Sequence, residues 1–275
     1  MKKTKRKDHY IPQGYLRGFI DPSRVGHPKP LWCLDIPTNT WSPRSTSEVG
    51  QYRGFYDYAG AKAAIAELEA ADSVFVGLEN GYPGIRDEIV SSGFAQWTKH
   101  REFFLRFMRM MGVRSPLFRE QKTAEGKTMR ALVVEEVYHD RKAIKVKSLT
   151  PSPVPPAFIR NRAITQMREE IQKGVAWLAD FHWALRYTES VTDPFVISEL
   201  PFAAEGPPGE LKDVLTHPDT LLVFPLCWQA CLFGSVRKFD VETDKFDTAD
   251  MRTTRRKYKA WAGQFLLSPV KINEF

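Results

Sequence analysis

His9, Gln13 and Arg17 recur at intervals of four within the segment DHYIPQGYLRGF (8–19), and each brings a different chemistry. An imidazole titrates near neutral pH and serves as a general base or a metal ligand. A carboxamide fixes a water or a base edge, and a guanidinium pairs with phosphate or developing negative charge. Two acids further along suit the same reaction: Glu69 in a long helical segment, and Glu199, which follows Ser198 at a strand end. Either would hold a divalent ion or orient the histidine. His9, Glu69 and Glu199 are therefore the catalytic candidates. The reaction they suit is phosphodiester hydrolysis, with a divalent metal ion as candidate cofactor and its ligands unassigned. The same residues have a plain structural use, in which the polar cluster pins the N-terminal element onto the fold and Arg17 pairs with an acid.

The elements that must position them follow from local rules. Pro12 suits a first helical turn and pushes Ile11 towards extended backbone, so a short helix starts there with His9 in the lead-in. Gln13 and Arg17 then share one face while Tyr15, Leu16 and Phe19 spread over the other. A helix from about Ala61 to Asn80 carries Ile65, Leu68, Phe75 and Leu78 at helical spacing, with Glu67, Glu69, Asp72 and Glu79 as its acids. A separate amphipathic segment spans about Gly84 to Ser91. The segment from Ala95 to Gly112 is apolar nearly all round and reads as a buried core helix. Arg106 and Arg109 sit among its bulkiest residues and are expected to pair inside with a carboxylate, Glu69 or Glu199.

Strand patterns are shorter. LWCLD (31–35) reads as a strand with WSPRS returning beside it. Residues 123–158 read as an inserted β-hairpin arm with a Pro-rich connector, TPSPVPP. A helical pattern covers Arg160 to Trp183, then come short strands at ALRYT, PFVIS and LLVFPL, and a last helix from about Thr248 to Leu266. The class is α+β: a mainly helical core with short strands near the N-terminus and in the C-terminal half, in a single domain over 1–275.

The first segment resembles the opening signature of a family called domain of unknown function 4238, which runs His-Tyr-x-Pro-Gln-x-Tyr-Leu-Arg-x-Phe. His9, Tyr10, Pro12, Gln13, Tyr15, Leu16, Arg17 and Phe19 all match. Fainter echoes follow in the family's order at Gly54-Phe55-Tyr56, the helix around Glu69, Arg114-Ser115-Pro116, Trp183, Phe195 to Pro201, and Phe224-Pro225-Leu226. The family often has Ser-Asp-Asn-Pro where this chain has Ser198-Glu199-Leu200-Pro201. The resemblance implies a fold and a site but no established activity. With it, Tyr56, Trp183 and Ser198 join Gln13, Arg17, Arg106 and Arg109 as candidate substrate-binding residues.

Bulk composition bounds the rest. At 275 residues, 43% hydrophobic and 27% charged, the chain is an ordinary globular protein. No apolar run is long enough to span a membrane, and the basic start MKKTKRK leads into Asp8 and His9 instead of a signal sequence. Three cysteines suit reduced thiols in a cytoplasmic setting; Cys227 and Cys231, within LCWQACLF, read as core packing and not as metal ligands. The net charge is +7, with 19 Lys/Arg against 13 Asp/Glu in residues 1–122 and 21 against 20 in the remainder. Basic excess at one end attracts polyanions, although five of those cations fall within the first seven residues, where a solvated terminus is the better reading. No P-loop, H-E-x-x-H, G-x-S-x-G or dinucleotide fingerprint is present.

Three readings follow. The first is a nucleic-acid-processing phosphodiester hydrolase, with defence against mobile elements as its expected setting. The second is a non-catalytic module that binds nucleic acid or an acidic partner through the basic N-terminus and the Arg/Lys-rich last helix. The third is a sensor of a small anionic ligand, held by Arg17 and Gln13 in a pocket lined by Trp183.

Overall fold

Helical spacing dominates the first half of the chain and strand alternation much of the second, and the backbone follows both. The computed structural model describes residues 7–53, 55, 64–128, 130–139, 143–172, 175–200, 202–205, 217–273 and 275. Strand β1 (Lys7–His9) leads into the short helix α1 (Gln13–Leu16) and a 3-10 turn over Arg17–Phe19. Strands β2 (Leu31–Asp35), β3 (Thr40–Arg44) and β4 (Gln51–Arg53) precede a helical block of α2 (Ala64–Ser92), α3 (Phe94–Val113) and α4 (Pro116–Thr128). A hairpin of β5 (Arg130–His139) and β6 (Ala143–Pro153) returns to α5 (Pro156–Gln172) and the single turn α6 (Ala176–Ala179). Next come β7 (His182–Tyr187), β8 (Ile197–Ser198), β9 (Ala203–Glu205), β10 (Leu221–Pro225), β11 (Ala230–Ser235) and β12 (Thr243–Lys245). Helix α7 (Thr248–Trp261) and strand β13 (Phe265–Ser268) complete an α+β fold.

Strands β10 and β11 are apolar along nearly their whole length, which requires cover on both faces of their sheet. They lie inside a five-stranded sheet ordered β12-β7-β11-β10-β9. Successive side chains point to opposite faces, so two cores form. Leu222, Phe224, Leu232, Leu185 and Trp183 pack with α2 and α3. Val223, Cys231 and Phe233 pack with Met251 and Tyr258 of α7 and with Leu34 and Leu266 of the second sheet. That second sheet, β3-β2-β13-β8, brings strands from both ends of the chain together.

The N-terminal segment is built into the first core. Tyr15 is fully buried among the rings of Phe19, Tyr82, Phe107 and Phe224, with centroids 5.3 to 5.9 Å away. Its hydroxyl donates to the Pro225 carbonyl at 2.6 Å, and Tyr82 donates to the Leu226 carbonyl at 2.6 Å. The backbone of Gly18 accepts from Trp228 N at 3.0 Å. A side chain at Gly18 would meet Cys227 Cβ at 3.1 Å, so the approach depends on glycine.

Several element boundaries differ from the sequence reading. The segment Gly84–Ser91 is no separate helix, because α2 continues through Pro83. Proline removes one backbone donor, and here the freed carbonyl four residues back, that of Glu79, lies beside Gly14 of α1. Helix α4 had no counterpart in the sequence reading. Ser115 opens it, accepting from Phe118 N at 3.2 Å, with Pro116 in the first turn. A β5–β6 hairpin is present, but it starts after α4 and absorbs Pro151 and Pro153 into β6, which has a strand partner on one side only among the described residues. The helix expected over Arg160–Trp183 ends at Gln172, and His182 and Trp183 belong to a strand. The last helix stops at Trp261, and Phe265–Ser268 pairs instead with β2 and β8. Among the described residues no helix is long and apolar enough to cross a membrane.

Tyr15→Phe keeps the ring stack and removes one buried donor, leaving the Pro225 carbonyl short of a partner. Urea denaturation of this variant should show a loss of about 1–2 kcal/mol with an unchanged m-value.

Candidate functional site

The expected trio arises where β1 meets α1. Strand β1 pairs with β4, His9 opposite Gln51, and the amides of Tyr10 and Ile11 both reach Gly50 O, at 2.8 and 3.2 Å. Gly50 has φ +62°, and a Cβ there would stand 2.7 Å from Ile11 Cβ. Only glycine fits that corner. Pro12 caps α1 with ψ 138°, and its carbonyl receives Tyr15 N and Leu16 N at 3.1 Å each. The turn places Gln13 Nε2 3.3 Å from His9 Nε2. A carboxamide nitrogen only donates, so with this amide orientation His9 Nε2 accepts and the ring proton sits on Nδ1.

Behind the histidine stands an ion pair between the two long helices. Arg114, at the C-terminus of α3 and 5% exposed, donates from Nη1 to Glu79 Oε1 and from Nη2 to the His9 carbonyl. Its guanidinium lies 4.8 Å above the centroid of the Phe75 ring. Burial lowers the His9 pKa below its ordinary 6.5, and the Arg114 charge lowers it further; Glu79, the Thr46 backbone and Asp8 oppose the shift more weakly. The result is a half-buried, neutral imidazole with one weakly held nitrogen. That is the state a general base needs.

Arg17, one turn beyond Gln13, is exposed. Among the described residues, the acid linked to His9 through Arg114 is Glu79. The backbone of Glu69 lies on α2, its side chain falls outside the described residues, and so does all of Tyr56. Glu79 was among the acids of the helical pattern, and Arg114 stood in a matched tripeptide. Neither could be selected from sequence, because the contact between them is long-range and depends on the packing of α2 against α3.

Glu199 is 6% exposed and its carboxylate accepts three backbone amides: Gly263 at 2.5 Å, Gln264 at 2.9 Å and Phe265 at 3.2 Å. It thereby fixes the turn from α7 into β13. Its charge also acts on Tyr10, whose hydroxyl pKa is raised, first by burial. Ser198 folds back on its own loop, donating to Leu200 O at 2.9 Å and accepting from Leu200 N at 3.1 Å.

The two helix arginines correct the expectation of interior pairing with Glu69 or Glu199. Arg106 is exposed and pairs with Glu102 one turn away, at 2.7 Å, because its side of α3 faces solvent. Arg109 does pair inside, but with Glu170 of α5 at 2.6 Å. Trp183 lies on β7 against Trp97, away from His9 along α3. Cys227 and Cys231 are buried as expected, and burial holds both thiols above the ordinary thiol range. Among the described residues no three His, Cys, Asp or Glu side chains converge as a metal-binding group.

A family model described as protein of unknown function (DUF4238) matches residues 7–257. The chain belongs to this family. The match spans β1 to most of α7 and so includes His9, Glu79, Arg114 and Glu199. No curated protein and no solved structure matches the chain. For this DUF4238 protein the arrangement itself carries the functional argument.

Two outcomes are expected. A histidine whose folded pKa lies below its unfolded value costs stability as pH falls through about 6.5, because the unfolded chain takes up the proton first; above that pH its contribution is constant. The melting temperature should therefore fall between pH 7 and pH 5, and His9→Gln should flatten that slope. Glu199→Gln exchanges a charged acceptor for a neutral one facing three amides, and should cost about 2–3 kcal/mol in chemical denaturation.

Proposed function

We propose that this DUF4238 protein hydrolyses phosphodiesters of nucleic acid at the face carrying His9, Gln13 and Arg17. The observation that carries the reading is the neutral, half-buried His9 ring with Gln13 beside its Nε2. In this scheme Gln13 turns its amide from His9 Nε2 to a water, and the freed Nε2 takes the water's proton as the oxygen attacks phosphorus. The imidazolium then returns the proton to the leaving oxygen. Arg17 holds the phosphate and meets the charge that develops on it. Arg114 and Glu79 are positioning residues. Arg114 grips the main chain of His9 and not its ring, so it fixes the backbone without occupying a ring nitrogen. No step is assigned to a metal ion, since Glu79 is engaged by Arg114.

The same feature makes the test clean, because His9→Ala keeps the carbonyl that Arg114 holds. Labelled single- and double-stranded DNA and RNA are incubated with wild type and His9→Ala in Mg²⁺, Mn²⁺ or EDTA. Cleavage should fall by about 10²-fold or more in the variant, with the melting temperature nearly unchanged. Binding without cleavage, weakening steeply with salt and indifferent to His9→Ala, replaces this reading with a nucleic-acid-binding module.

A further inference from the structure

The opposite end of α3 carries a second feature. An open cleft of about 350 Å³ lies between the start of α3, the turn into β7, and the loop before β12. Its volume falls in the range of small-ligand sites. The floor is aromatic: Trp97, Phe181 and Trp183 are 2%, 4% and 5% exposed, with Trp183 5.5 Å from Trp97 and 6.2 Å from Phe181 by ring centroid. Phe94 and Phe239 line the sides and are only half-buried. The indole N–H of Trp183 is buried and finds no acceptor among the described residues. A buried indole N–H ordinarily has one.

The rim decides the ligand class. Arg101 and Lys238 supply cations, and Asp180 and Glu242 supply carboxylates. A cage for a quaternary ammonium would carry acids without opposing cations, and a simple anion site would carry cations without acids. Aromatic walls with donors and acceptors both present at the rim match a planar heteroaromatic ring with mixed polarity at its edge. We propose that this cleft binds a nucleobase-bearing ligand, a nucleoside monophosphate being the smallest form that engages both the rings and the cations. The base packs against Phe94 and Phe239, Asp180 and Glu242 accept from its amino and ring N–H groups, and Lys238 and Arg101 face the phosphate.

Trp97 and Arg114 lie about 25 Å apart along α3 at 1.5 Å per residue. The cleft is therefore a site separate from His9, and its ligand is independent of the hydrolytic reading.

The test is isothermal titration calorimetry and thermal shift of the whole chain with AMP, GMP, CMP and UMP, beside ribose 5-phosphate and tetramethylammonium. At least one nucleotide should bind saturably and raise the melting temperature, while ribose 5-phosphate does neither. Phe239→Ala should raise its Kd at least tenfold, and His9→Ala should leave it unchanged. The exposed double variant Asp180→Asn/Glu242→Gln retains volume and fold and should raise Kd several-fold, so the test stands even if Phe239→Ala unfolds. No thermal shift with any of the four nucleotides at about 5 mM overturns the proposal. So does saturable binding of tetramethylammonium alone, or a nucleotide Kd that the folded cleft variants leave unchanged.

Discussion

A single buried guanidinium joins the three pieces that define the N-terminal face. Arg114 ends α3, meets Glu79 in the middle of α2, and receives the His9 carbonyl from β1. Burying a charge is tolerable only when its donors are matched. The matching here is distributed over two helices and a strand, with the Phe75 ring beneath. The position of His9 thus depends on helix packing as well as on the pairing of β1 with β4. Any shift of α2 against α3 would strand the arginine, so this ion pair makes the relation between the two helices specific.

Pro83 belongs to the same logic. By leaving the Glu79 carbonyl without its usual helical donor, it opens one place on α2 where another backbone can approach closely. Gly14 occupies that place, where an added Cβ would stand 3.2 Å from the Pro83 ring. Arg86, one turn on, reaches the Gly14 carbonyl at 3.3 Å. A residue that reads in sequence as the end of a helix is here the seat of α1 inside one.

Local signals in the sequence were legible where a single element produced them. Pro12 and the aromatic set of the first helix, the strand pairs β2–β3 and β10, and the β5–β6 hairpin all follow from spacing and turn chemistry; α3 buries one face only, with Lys99, Glu102 and Arg106 exposed on the other. What failed was decided at a distance. The Phe265–Ser268 segment continues a helical pattern, yet β2 and β8 supply strand partners on both sides. His182 and Trp183 likewise leave a helical pattern for the sheet beside β11. In the site, the sequence grouped His9 and Gln13 in one segment, but their contact crosses the corner from β1 into α1, which depends on the approach of Gly50. Selecting Glu79 required the register of α2 on α3. Recognising the amide-binding task of Glu199 required knowing where the chain turns after α7.

The outer margins of the five-stranded sheet carry a consequence for how the protein behaves at high concentration. Among the described residues, one margin is β12, three residues long, exposed throughout and ending in Asp244 and Lys245; the other is β9, also three residues. A margin so short offers few free amides to an incoming strand, and on β12 any such strand would also have to strip water from two opposite charges. The apolar inner strands are thus fenced off from lateral growth, and this sheet gives little purchase to fibrous self-association.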